Sequence, residues 1–151
     1  MGIEKHKKKL ETHFAKLEKM YINAPDNEYH EAGISVSAGE AEIVISIRKE
    51  FFHAAGSVHS AVCFKAMNDA ASLAVNSIVD NLFVSTLSFN IYLARPVGSG
   101  ELIARGRFMN KAGTQYMAES VLTDSEGREI GKGNGTFVKS RSPLSPRIGY
   151  G

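Results

Sequence analysis

The chain has 151 residues, 43% of them hydrophobic and 23% charged, which is typical of one soluble globular domain able to bury a sizeable core. The formal net charge is only +2 and the basic residues are scattered, apart from lysines within residues 5–9. We therefore expect no nucleic-acid or membrane partner. The first ten residues lack the apolar segment of a signal peptide and Cys63 is the only cysteine, so we expect no disulfide and a cytoplasmic location.

The first part of the chain is predicted to form a helix and two strands. Residues 3–21 have apolar side chains on one side and lysines and glutamates on the other, which indicates an amphipathic helix, and residues 23–27 break it. Alternating apolar residues then predict strands over residues 32–37 and 41–48, joined by a hairpin turn at residues 38–40.

Four more strands are predicted after residue 80. They cover residues 82–94, 102–110, 115–123 and 129–139. The glycine-containing segments between them are typical of turns, so we expect these four strands to form an antiparallel meander. The tail, residues 141–151, contains Pro143, Pro146 and Gly149 and is expected to be flexible.

The segment between the two groups of strands organises the chain. An irregular loop leads into about twenty residues without glycine or proline, ending near Val79, which predicts a helix. Ser57 is placed to cap this helix. The helix is apolar nearly all round and should be buried. Its polar residues form one stripe, which is either a solvated face with an ion pair of spacing i,i+4 or a surface facing a ligand or partner helix. The stripe consists of Lys65, Asn68, Asp69, Ser72 and Asn76.

These elements predict an α+β fold in which an antiparallel sheet wraps around one long central helix, because only that helix can cover the apolar face of the sheet. The N-terminal helix is an addition to this core. We divide the chain into an N-terminal helix and linker (residues 1–28), a sheet-and-helix domain (29–140) and the tail (141–151).

The loop and central helix resemble those of hot-dog-fold acyl-CoA thioesterases of the phenylacetate-pathway type, over residues 30–140. That family has Asn or His, a following Gly, then His-Gly-Gly, and an Asp nine residues after this His. A Ser or Thr on the following strand lines the site. The corresponding residues here are His53, Gly56, His59, Ser60, Ala61, Asn68 and Thr86. Asn68 stands at the Asp position, and the carboxylate of Asp69 follows it.

The resemblance implies a hot-dog fold and hydrolysis of an acyl-CoA or aryl-CoA thioester to the free acid and CoA. It implies no metal and no cofactor, since CoA is part of the substrate. It also implies a homodimer with shared active sites, or a homotetramer built as a dimer of dimers.

Helix geometry leads independently to a dimer. Ser60 and Asn68 are eight residues apart, which is about 12 Å along a helix and about 80° around it. One helix cannot easily present both residues to the same carbonyl carbon. Two antiparallel helices can, if the start of one lies beside the middle of the other.

The proposed chemistry assigns a role to each candidate catalytic residue. The N–H of Ser60, at a helix start, suits the negative charge that develops on a thioester oxygen, and His59 would position the turn or the thioester. Asn68 cannot take a proton at neutral pH but could orient a water molecule, as could His53 and Thr86. Asp69 could supply the base, although it points about 100° away around the helix.

The substrate is expected to lie beside the same loop and helix. The acyl group should lie along the helix among Phe52, Phe64 and Met67, near Gly56 and Ala61. Arg95, at the end of a strand, could contact a phosphate of CoA.

Several alternatives remain open at the level of sequence. The protein could be a non-catalytic acyl-CoA or lipid-binding relative, or a dehydratase on the same fold. Cys63 lies one helical turn after His59 and could act as a thiolate or, with His53 and His59, hold a metal, although a lone cysteine on an apolar helix is usually part of the core. We expect the other histidines, His6, His13 and His30, to lie at the surface.

Overall fold

The structure is a computed structural model that describes all 151 residues. The helices and strands, in chain order, are α1 (Gly2–Ile22), α2 (Pro25–His30), β1 (Gly33–Ser37), β2 (Glu40–Ser46), α3 (Ser60–Asn76), β3 (Leu82–Leu93), β4 (Glu101–Ala112), β5 (Gln115–Thr123) and β6 (Glu129–Pro143). Short 3₁₀ helices follow β2 and β6 at Lys49–Phe51 and Pro146–Ile148. No helix is both long enough and apolar enough to cross a membrane.

All six strands form one antiparallel sheet in the order β1-β2-β4-β5-β6-β3. The predicted meander of the last four strands is therefore wrong in one respect, because β3 pairs with β6 at the far edge and not with β4. Alternate glycines on β6 make this pairing possible: a Cβ at Gly133 or Gly135 would lie 2.7 Å from the ring of Phe89 on β3. The segment between β3 and β4 therefore leads from the edge strand past β6 and β5 to the middle of the sheet.

Helix α3 packs against the sheet, which confirms the predicted α+β arrangement around a central helix. Ala66, Ala70 and Ala74 on α3 are completely buried, and these small side chains let the helix approach closely. At Gly106 on β4, a Cβ would lie 2.2 Å from backbone atoms of Ala70. The helix backbone therefore rests directly on this strand, which fixes the position of α3.

The polar residues of α3 do not form one solvated face. Asn76 is buried and its amide is fully used, since it donates to the carbonyls of Val79 and Leu82 and accepts from the N–H of Val84. It therefore closes the end of the helix, which comes at Asn76 instead of near Val79. Lys65 and Asp69 do make the predicted ion pair, at 2.7 Å.

The N-terminal helix and the tail pack against each other, contrary to the expectation that His13 lies at the surface. His13 was expected at the surface but is only 6% exposed, and its ring nitrogens contact the Tyr150 hydroxyl at 2.7 Å and the Asn76 carbonyl at 2.8 Å. The last strand continues to Pro143, beyond the predicted end at residue 139. Residues after it contact α1, so the tail has a defined place in the structure that its Pro and Gly content did not indicate.

Candidate active site

The loop before α3 is held in place by backbone hydrogen bonds. Phe52 and Val58 form an isolated antiparallel bridge, and the N–H of His53 donates to the Ser57 carbonyl at 2.9 Å. Gly56 lies inside this tight turn with φ of +87°, a conformation that L side chains rarely adopt. The loop therefore presents His53 on a constrained turn just before the helix begins.

His59, not Ser57, caps α3. The Nδ1 of His59 accepts the N–H of Ala61 at 2.9 Å, so in the neutral ring the proton is on Nε2. The N–H of Ser60, the first residue of the helix, has no hydrogen-bond partner within the chain. It is therefore a free donor at the positive end of the helix dipole.

His53 has a similar arrangement. Its Nδ1 accepts the N–H of Ala55 at 3.1 Å, and its Nε2 lies 2.9 Å from the Ser57 hydroxyl. Because Nδ1 is an acceptor, Nε2 carries the proton of the neutral ring and donates to Ser57. Ser57 is thus not activated as a nucleophile by this histidine. The rings of His53 and His59 are 6.4 Å apart, and both are exposed.

A cavity of about 530 Å³ joins the loop, the helix start and the end of β3. The two imidazoles, the start of α3 and Arg95 all line it, together with apolar side chains. Arg95 is exposed and makes no ion pair with any residue of the chain. The structure therefore brings His53, His59, Ser60 and Arg95 to one cavity of a size that fits part of a small-molecule ligand.

Cys63 also lines this cavity but is unsuited to nucleophilic chemistry. Its side chain is only 4% exposed, and burial raises the pKa of the thiol to about 11, so the thiolate is scarce at neutral pH. No three side chains of the metal-ligating kinds converge anywhere in the chain. His53, His59 and Cys63 do not form such a group in this structure.

Asn68 and Thr86 form a second group of candidate residues, two turns further along α3. The Thr86 hydroxyl on β3 donates to the Asn68 amide oxygen at 2.8 Å. Phe64, 37% exposed, lies on the same side of the helix, and its ring packs against Phe89 with centroids 5.6 Å apart. Asn68, Thr86 and Phe64 therefore lie at the edge strand β3. Within one chain they do not reach the start of α3.

The remaining substrate-binding candidates are placed differently. Met67 is completely buried and belongs to the core, so it has no exposed surface for an acyl group in this structure. Phe52 is half-buried and packs against the core beside the loop, whereas Gly56 and Ala61 are exposed at the loop and the first turn of α3.

Asp69 lies about 100° around α3 from Asn68, and one of its carboxylate oxygens accepts two hydrogen bonds. Its Oδ2 accepts from Lys65 Nζ at 2.7 Å and from the Tyr21 hydroxyl at 2.7 Å. Lys65 also contacts Asp26 at 2.6 Å. Burial and the neighbouring Asp69 carboxylate raise the pKa of Tyr21 well above its usual range. Asp69 therefore joins α1 and α2 to α3 and does not face the Asn68 side.

Sequence reasoning missed this network because Tyr21 falls on the apolar face of α1. The only signal in the sequence was the i,i+4 spacing of Lys65 and Asp69. The partners from α1 and α2 are distant in the chain, and only the packing of the helices brings them together.

No family model and no curated protein sequence matches this chain. Solved structures do match. The PaaI protein from the phenylacetic acid degradation operon of E. coli has a TM-score of 0.80 and 16% identity, over 89% of this chain and 98% of that protein. A conserved protein from Pseudomonas aeruginosa has a TM-score of 0.71 and 23% identity, over 79% and 96% of the two chains. A mutant of a thioesterase enzyme from Staphylococcus aureus has a TM-score of 0.71 and 16% identity, over 76% and 98%. The resemblance is confirmed at the level of architecture: this chain has the hot-dog fold.

Proposed function

We propose that the protein hydrolyses the thioester bond of an acyl-CoA, releasing the free acid and CoA, with no cofactor beyond the CoA of the substrate. One observation carries this proposal. The N–H of Ser60 at the start of α3 is unpaired, and Ser60 lines a cavity that two imidazoles also line. A free backbone donor at a helix start is suited to the oxygen that becomes negative when a carbonyl is attacked.

The reaction follows from this placement. The thioester oxygen accepts the Ser60 N–H, water adds to the carbonyl carbon, and the resulting oxyanion is stabilised by that donor and the helix dipole. The C–S bond then breaks, and the proton lost by the water is passed through the base to the departing thiolate. Asp69 is held by Lys65 and Tyr21, and Asn68 cannot take a proton. We assign the base to His53, which lines the cavity; its unprotonated nitrogen, Nδ1, exchanges the Ala55 N–H that it accepts at 3.1 Å for a proton of the attacking water.

The CoA portion of the substrate is placed by Arg95. Arg95 lines the cavity and makes no ion pair in the chain, so its guanidinium is available to a phosphate group. The acyl group would then extend from Ser60 past Ala61 towards the exposed ring of Phe64.

The complete site requires a homodimer. Strand β3 is a free edge of 12 residues, and Phe83, Leu87 and Leu93 on it expose 39%, 56% and 41% of their surface. A long apolar edge strand is a template for pairing with another chain. Antiparallel pairing of two β3 strands would place two α3 helices side by side, so that Ser60 of one copy approaches Asn68 and Thr86 of the other.

The decisive experiment removes a single backbone N–H. Pro is well tolerated at the first position of a helix, and His59, with φ of −62° and ψ of 138°, already has the conformation that a residue before proline prefers. Ser60→Pro therefore removes the donor without breaking the helix, and Ser60→Ala is the matched control that keeps the N–H.

Thioester hydrolysis is measured on a panel of acyl-CoA and aryl-CoA substrates by detecting the free thiol. We expect turnover by the wild type and by Ser60→Ala, and a fall of about 100-fold or more in Ser60→Pro. Absence of turnover by the wild type on the whole panel would refute hydrolysis, and equal activity of the two variants would refute the role of the Ser60 N–H.

A second candidate function is non-catalytic binding of acyl-CoA. Two facts favour this function, because both leave the site without a carboxylate base. Asn68 stands at the central position of the site, and Asp69 is engaged by Lys65. Saturable acyl-CoA binding by calorimetry, with no thiol released over hours, would support this function in place of hydrolysis.

A further inference from the structure

The pairing of Asn68 with Thr86 determines which part of the amide faces a ligand. Thr86 Oγ1 donates to Asn68 Oδ1 at 2.8 Å, and the amide nitrogen of Asn68 makes no hydrogen bond in the chain. A carboxylate at this position would accept from Thr86 with one oxygen and keep the other as a second acceptor. The amide of Asn68 presents N–H donors instead, so a ligand meets hydrogen-bond donors where an aspartate would offer acceptors.

Apart from the proposed base His53, the other groups proposed to surround the acyl carbon are donors too. The Ser60 N–H is free, and the cap of α3 leaves the proton of the neutral His59 ring on Nε2. Arg95 lines the same cavity. The nearest carboxylate on the helix, that of Asp69, is turned away and bound to Lys65 at 2.7 Å. A site made of donors favours a ligand with acceptor oxygens and negative charge.

We infer that this site binds a free monocarboxylate, with Asn68 Nδ2 donating to a carboxylate oxygen and Thr86 as the positioning residue that keeps the amide nitrogen outward. The acid released by hydrolysis is such a ligand, so it competes with the thioester for the site. This inference rests on the location of the acyl group in the proposed function, but it does not depend on turnover.

Binding of acetate, hexanoate and benzoate to the full-length protein at neutral pH tests the inference, by calorimetry or ligand-observed NMR. The wild type should bind at least one of them saturably. Asn68→Asp should weaken that binding by about tenfold or more, because a donor is replaced by a like charge.

Two further variants test the role of Thr86. Thr86→Ser keeps the hydroxyl and should bind like the wild type, whereas Thr86→Val frees the amide to turn and should bind several-fold more weakly. Ser88→Ala on the same strand is a control that should change nothing. Melting curves verify that each variant is folded, and the Thr86→Ser and Thr86→Val pair decides the question if Asn68→Asp does not fold.

The outcomes separate this inference from the proposed hydrolysis. Carboxylate binding that is lost in Asn68→Asp, in a protein that hydrolyses no thioester, would support the inference and refute only the hydrolysis. Turnover without detectable carboxylate binding would overturn the inference, as would Asn68→Asp or Thr86→Val binding as tightly as the wild type.

Discussion

The phenol oxygen of Tyr21 on α1 lies 2.7 Å from the Asp69 carboxylate on α3, and Lys65 approaches the same carboxylate oxygen at 2.7 Å. These two contacts tie Asp69 into the packing of the helices, and Asp69 is the residue that the sequence suggested as a displaced catalytic base. Burial opposes the charge on Lys65, but Asp69 and Asp26 outweigh it and raise the pKa of the ammonium. The network therefore keeps its charges while it holds α1 and α2 against α3.

Asp69→Asn should destabilise the protein without removing hydrolysis. It leaves the largely buried Lys65 with only the exposed Asp26 as a partner, so we expect a loss of about 1–3 kcal/mol in urea denaturation. Activity per folded molecule should stay within a few-fold of the wild type. Asp80→Asn, an exposed carboxylate in the loop after α3, is the control and should change neither quantity. If a folded Asp69→Asn protein lost all turnover, Asp69 would be the base after all.

Stability at high pH should depend on Tyr21. Its pKa is raised in the folded protein, first by burial and then by the Asp69 carboxylate, so its contribution is complete below the unfolded-state value of about 10. The contribution is lost progressively as the pH rises above that value. Melting temperatures measured between pH 8 and 11.5 should therefore fall more steeply for the wild type than for Tyr21→Phe. Parallel curves for the two proteins would contradict this assignment.

Gly106→Ala should be strongly destabilising, because the added Cβ would lie 2.2 Å from the carbonyl group of Ala70 on α3. Neither backbone can move without disturbing the sheet, so we expect a cost of about 3 kcal/mol or more. Gly33→Ala is the matched control within a strand, since a Cβ there meets only the Val44 carbonyl at 3.9 Å. Denaturation curves of the two variants should separate clearly, and similar stabilities would show that α3 can shift on the sheet.

Leu87→Lys should shift the protein from dimer to monomer. Leu87 is 56% exposed on the free edge strand, and a lysine there opposes pairing of two copies. Ile22→Lys is the control, because Ile22 is 55% exposed at the end of α1, on an element outside the proposed interface. Sedimentation velocity should show a dimer for the wild type and Ile22→Lys. Hydrolysis by Leu87→Lys should fall together with the dimer fraction, and a fully active monomer would refute the shared site.

Local patterns predicted most of the secondary structure, because helix and strand periods depend on residues close in the chain. The strand predicted over residues 115–123 is observed with the same bounds, as Gln115–Thr123. The position of β3 was not predictable in this way, since alternation says that a strand forms but not which strand it pairs with. The glycines of β6 let β3 pair there because they leave room for the ring of Phe89, and this contact exists only in the folded structure.

The candidate site, too, was predictable from the sequence only where its residues are close in the chain. The sequence by itself determined the loop and helix start with His53, His59 and Ser60, because these residues are close in the chain and a helix always leaves its first N–H groups free. It also indicated that Ser60 and Asn68 cannot meet within one helix. Only the tertiary structure decided that Asp69 is bound by Tyr21, that His13 is buried against Tyr150, and that Thr86 turns the amide of Asn68 outward. Each of these contacts joins residues far apart in the chain, so each depends on how the helices and strands pack and not on any local pattern.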